Sequence, residues 1–162
     1  MTRLDHLIRR LEAQRNCLNA APALIAGIGG PVLELGLGNG RTYDHLRHLF
    51  PDREIFVFER QPAPHPACRP DPEHLVVGDL EDTLPGASGF LPTPAALVHS
   101  DIGTHDRARD ERLARWLART LPPITRPGAL IASDRRLDDD ALAPLPLCAA
   151  VSRGYFVYRR AP

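Results

Sequence analysis

The stretch Val32-Leu33-Glu34-Leu35-Gly36-Leu37-Gly38-Asn39-Gly40-Arg41-Thr42 constrains the fold of this chain more than any other. It reads as a short buried strand that stops at an acid, a loop with glycine at every second position, and the first turn of a helix. Glycines at 36, 38 and 40 give access to positive φ and carry no Cβ, so a ligand can lie directly on the backbone. That is a nucleotide-type site, the alternative being a glycine-rich turn with no ligand.

The spacing narrows the ligand. A dinucleotide fingerprint places its third small residue at position 41, where this chain has arginine, which spoils close packing of helix on strand. The pattern from Glu34 to Gly40, Glu-x-Gly-x-Gly-x-Gly, instead resembles the first motif of class I S-adenosylmethionine-dependent methyltransferases. The resemblance implies S-adenosyl-L-methionine as cofactor. It implies that Glu34, Gly36, Gly38, Asn39, Gly40 and Thr42 wrap the methionyl part and the ribose. The implied fold is α/β, a Rossmann-like seven-stranded methyltransferase sheet, mostly parallel with a C-terminal antiparallel hairpin strand and helices on both faces.

Later residues agree. Ile55-Phe56-Val57-Phe58 forms a second strand finishing on Glu59, an acid about twenty residues past the glycine loop that can accept from both ribose hydroxyls. By resemblance Glu59, with Arg60 beside it, takes the ribose. Leu75-Val76-Val77 is a third strand closing on Gly78-Asp79-Leu80, where the resemblance places Asp79 at the adenine amine and Leu80 on the ring. Between these strands the prolines from Pro62 to Pro72 prevent a helix and predict an extended surface loop.

A fourth strand, residues 95–99, leads to Asp101, and carboxyl ends of parallel strands face the ligand crevice. Asp101 is therefore expected at the reaction centre, on both the cofactor and the acceptor side. His105 is a general base by type and position, or else a first-turn helix residue with no chemical task. A fifth strand, residues 128–132, ends in Ser133-Asp134, so Asp101 and Asp134 would lie side by side. This pair resembles that of the metal-dependent, catechol-type O-methyltransferases. Arg135 stands where that family has an asparagine ligand and cannot coordinate a cation, so no metal is expected.

Residues 2–19 carry a helical stripe, Leu4, Leu7, Ile8, Leu11 and Leu18, with Thr2 and Asp5 as start signal and Pro22 as stop. The stripe reads as a cover on the sheet, with a lid over the ligand as the alternative. Leu113, Trp116, Leu117 and Leu121 mark another helix stopping at Pro122-Pro123. Asp138-Asp139-Asp140 favours the start of a short helix through the dipole. Residues 147–151 and 155–158 look like a closing hairpin.

The chain has 162 residues, enough for one domain with the residues 1–22 helix preceding its core. Net charge is +0, which disfavours a nucleic-acid partner, and the absence of lysine excludes a lysine base. Three scattered cysteines and a charged N-terminus point to a cytoplasmic protein with no membrane segment. No Asn/Asp-Pro-Pro-Tyr follows the fourth strand, so the expected partner is a small-molecule acceptor, with homo-oligomerisation open. Two alternatives stand beside methyl transfer: a non-catalytic binder of S-adenosylmethionine or its demethylated product, and an NAD-type oxidoreductase.

Overall fold

The computed structural model describes residues 1–104, 106–146 and 154–162. Among the described residues seven strands form one sheet: β1 Val32–Leu35, β2 Ile55–Glu59, β3 Leu75–Val77, β4 Ala95–Ser100, β5 Thr125–Ser133, β6 Leu142–Pro144 and β7 Phe156–Arg160. Their spatial order is β3-β2-β1-β4-β5-β7-β6. β1 to β5 pair in parallel, and β7 runs antiparallel to both β5 and β6.

The register positions the site. Leu35 lies beside Phe58 on one side and Ser100 on the other, and Ser100 beside Ser133. Gly36, Glu59, Asp101 and Asp134 therefore leave the sheet at one edge, with β1 between β2 and β4. This is where strand order reverses and a crevice opens in doubly wound sheets.

Helices α1 Arg3–Leu24 and α2 Arg41–Leu49 pack on one face with Val32, Val57, Leu97 and Leu130. The single turn α3 Leu80–Thr83, the 3-10 segment Leu84–Gly89 and α4 Arg107–Ile124 lie on the other, against Leu33, Phe58, Val98 and Ile131. The proline-rich crossover forms two 3-10 turns, Pro66–Cys68 and Pro72–His74, in place of a full helix.

Several expectations are corrected. The prolines do not stop either long helix: Pro22 lies within the last turn of α1, Pro122 and Pro123 within the last turn of α4. In a last turn each proline costs only the one bond its N–H would give to the carbonyl four residues back, and after α4 the Thr125 hydroxyl donates to the Leu121 carbonyl at 2.9 Å. Of the apolar stripe of α1 only Leu18 covers the sheet. Leu4, Leu7, Ile8 and Leu11 are 63%, 49%, 45% and 41% exposed, while Ala13, Gln14, Cys17, Leu18 and Ala21 are buried. Asp138-Asp139-Asp140 starts no helix: the chain bends there, Leu142 N–H bonds the Asp139 carbonyl, and β6 follows. The hairpin partner of β7 is thus β6; the strand expected at residues 147–151 lies outside the described residues. No helix among the described residues is long and apolar enough to cross a membrane.

Candidate functional site

The glycine loop takes the backbone form its sequence demands. Gly36, Gly38 and Gly40 have φ of +87°, +51° and +86°. A Cβ on Gly40 would sit 2.5 Å from that of Cys68, so the crossover packs directly on the loop. A Cβ on Gly38 would meet nothing within 4 Å, because this glycine faces open pocket.

Glu59 holds this loop in place. Its Oε2 accepts from the N–H groups of Leu37 at 2.8 Å and Gly38 at 3.2 Å, and its Oε1 from Gln61 N–H at 3.0 Å. Burial works against its charge, but these donors outweigh it and lower its pKa. Beyond it opens a pocket of about 680 Å³, bounded by Gly36, Glu59, Asp79, Leu80, Asp101 and Gly103. Such a volume suits a nucleoside-sized ligand. Arg60 and Asp79, both more than half exposed, face each other at 3.6 Å; Gly78 and Arg60 also line the pocket. Asn39 is exposed, and its carbonyl accepts from His65 N–H at 3.0 Å.

A polar layer runs beneath α1, on the face shared by Glu34, His99 and Asp101. The Thr42 hydroxyl donates to Glu34 Oε1, and Glu34 Oε2 lies 2.5 Å from His99 Nδ1. Gln14 Nε2 lies 3.3 Å from His99 Nε2 and donates to Asp101 Oδ2 at 2.9 Å. Arg10 completes the layer with a two-pronged contact to Asp101, at 2.9 and 3.2 Å. Glu34 and His99 are fully buried. Burial pulls the His99 pKa down, but the charge of Glu34 and the hydrogen bond to it raise it overall. Asp101 is therefore no free carboxylate: a helix some ninety residues earlier in the chain already occupies it.

His99, Gln14 and Arg10 escaped the sequence reading. His99 sits inside an apolar strand and the other two on a helix whose stripe pointed elsewhere, so no local pattern marks them. Arg109 and Arg112 of α4 also line the pocket and were likewise missed. His105 lies outside the described residues.

Asp134 emerges beside Asp101 as expected, and Arg135 beside it pairs with two acids. Its Nη2 reaches Asp110 Oδ2 at 2.6 Å, and its Nε lies 3.3 Å from Asp134 Oδ2. Among the described residues, Asp134 Oδ1 and the Tyr155 hydroxyl are buried without a well-formed hydrogen bond, although Gln14 approaches the hydroxyl. Burial first, and Asp101 second, lift the Asp134 pKa from its ordinary 3.8 to about 6. The folded state thus binds this proton more tightly than the unfolded chain. The resulting stability is complete below about pH 4 and is lost as pH rises through about 6. Asp134→Asn should therefore be more stable than the wild type at pH 8 by roughly 1–3 kcal/mol, with the gap closing towards pH 4. Denaturant unfolding at both pH values checks this.

A sequence profile described as S-adenosyl-L-methionine methyltransferase matches residues 1–160. The chain belongs to this family. It is similar to the crystal structure of an S-adenosyl-L-methionine methyl transferase from Silicibacter pomeroyi DSS-3. The two are 45% identical over 99% of each chain, with a TM-score of 0.91. The structure of cofactor-bound Rv0187 from MTB shares the fold at 18% identity, covering 98% of this chain and 88% of that one with a TM-score of 0.58. No curated protein matches.

Proposed function

We propose that the protein transfers a methyl group from S-adenosyl-L-methionine to a small-molecule acceptor. The observation that carries this reading is the glycine loop tied to Glu59 and open at Gly38 to the pocket. Gly36, Gly38 and Gly40 would lie along the methionyl and ribose portion. Glu59 would meet the ribose hydroxyls with the lone pairs its loop contacts leave free. Asp79 and Leu80 would flank the adenine, within reach of Arg60.

When bound, the sulfonium supplies an electrophilic methyl group. The chain's own task is to align the acceptor and exclude water. Asp101 lines the pocket where an acceptor would approach, with His105 following it in sequence. Because Arg10 and Gln14 hold Asp101, it is suited to orienting an acceptor more than to removing its proton.

That same hold favours a second reading, a binder of S-adenosylmethionine or S-adenosylhomocysteine without turnover. Calorimetric titration with S-adenosylhomocysteine, together with methyl transfer from labelled cofactor to a panel of phenols, amines and carboxylates, separates the two. Binding with transfer is the expected result. Binding without transfer to any acceptor supports the second reading, and binding of NADH alone overturns both.

A further inference from the structure

The geometry points to Gln14 as a positioning residue for Asp101, with its amide orientation set by the neutral form of His99. Helix α1 then does two things: its buried side packs on the sheet, and Arg10 and Gln14 hold the pocket residue Asp101 from behind. The inference rests on the cofactor reading above, because it concerns the acid that lines the cofactor pocket.

The argument is one of donors and acceptors. A primary amide has two N–H donors on one nitrogen and a carbonyl acceptor on the other atom. Here the Gln14 nitrogen faces both His99 Nε2, at 3.3 Å, and Asp101 Oδ2, at 2.9 Å. It can donate to both only if His99 Nε2 is unprotonated, with the ring proton on Nδ1 pointing to Glu34. Carboxylate and imidazole together thus fix the amide. When His99 takes a second proton, Nε2 becomes a donor, and the amide must turn its oxygen to the ring. Its nitrogen then leaves Asp101, which would face a carbonyl oxygen or lose the contact.

Every element packed against His99 takes part in this balance. β1 contributes Glu34, itself bonded to Thr42 at the start of α2. Helix α1 contributes Gln14 and, through Asp101, Arg10; the residues just past β4 and β5 contribute Asp101 and Asp134. The Tyr155 ring stacks on His99 at 6.2 Å between centroids. The carboxylates at 34, 101 and 134 favour the protonated ring and burial opposes it, with a net upward shift. The amide therefore turns on acidification, and the wall residue Asp101 loosens with it.

The test uses the full chain and S-adenosylhomocysteine as probe, with affinity measured by calorimetry from pH 5.5 to 8.5. Wild-type affinity should fall by about tenfold on acidification, the order of effect of one hydrogen bond to a charged group. Gln14→Leu should bind about tenfold more weakly at pH 8.5 and vary little with pH. His99→Gln, which cannot titrate, should also be flat. Asp134→Asn should keep an inflection, moved to lower pH because one carboxylate that favours the protonated ring is gone, which separates His99 from the other group titrating in this window. Circular dichroism melts identify any variant that fails to fold, and Gln14→Glu then serves as a second probe of the position, expected to bind more weakly still. Wild-type affinity and pH dependence in Gln14→Leu would overturn the inference, as would an inflection that survives in His99→Gln and vanishes in Asp134→Asn. If the wild type does not bind at any pH, the cofactor reading fails, and this inference with it.

Discussion

Glu59→Ala should weaken S-adenosylhomocysteine binding by at least about a hundredfold. The carboxylate is charge-assisted in its contacts with the loop, and each such bond contributes about 1.5–3 kcal/mol. Removing it releases the Leu37 and Gly38 N–H groups on the loop side and Gln61 on the strand side. Loop order and any direct ribose contact are then lost together. Glu59→Gln separates the two: its amide oxygen can still accept from the loop, so it should retain the loop and lose only part of the affinity. Calorimetry on both variants, with hydrogen exchange at Leu37 and Gly38, measures this. Equal affinity in Glu59→Ala and the wild type would remove Glu59 from the site.

The second large effect is on stability. Glu34→Leu should lower it by about 3–5 kcal/mol, because His99 and the Thr42 hydroxyl lose their partner in a fully buried place. For a chain of this size the melting temperature should drop by roughly 10 °C. Breaking one side of a buried pair costs more than replacing both sides with apolar groups. The double variant Glu34→Leu/His99→Leu should therefore recover part of the loss. A double variant less stable than the single one would show that His99 is tied to Gln14 more firmly than to Glu34.

Much of the fold was legible because its signals are local. A strand, a glycine loop and a helix start occur within eleven residues, from Val32 to Thr42. The strand-end residues Glu59, Asp101 and Asp134 could be placed at one edge because parallel strands deliver their ends together. What escaped depends on contacts distant in sequence. Nothing near Gln14 announces a partner at position 101, and nothing in Ala95–Ser100 marks His99 as other than a strand residue. Pro22, Pro122 and Pro123 misled because a proline in the last turn removes only the bond its N–H would give to the carbonyl four residues earlier, and the helix runs one or two residues past it before ending. The leucines of α1 misled for another reason. Periodicity identifies an apolar face but not which structure it meets, and the buried side of α1 joins Leu18 of that stripe to Ala13, Gln14, Cys17 and Ala21.

Helix α1 is 22 residues long, which as a rigid rod spans about 33 Å. Its C-terminal half is anchored in the core, its N-terminal half stands clear of it, and Arg10 and Gln14 lie near the fulcrum. The two groups that hold Asp101 therefore sit where the helix leaves the core, on the same rigid element as the exposed Leu4 and Leu7.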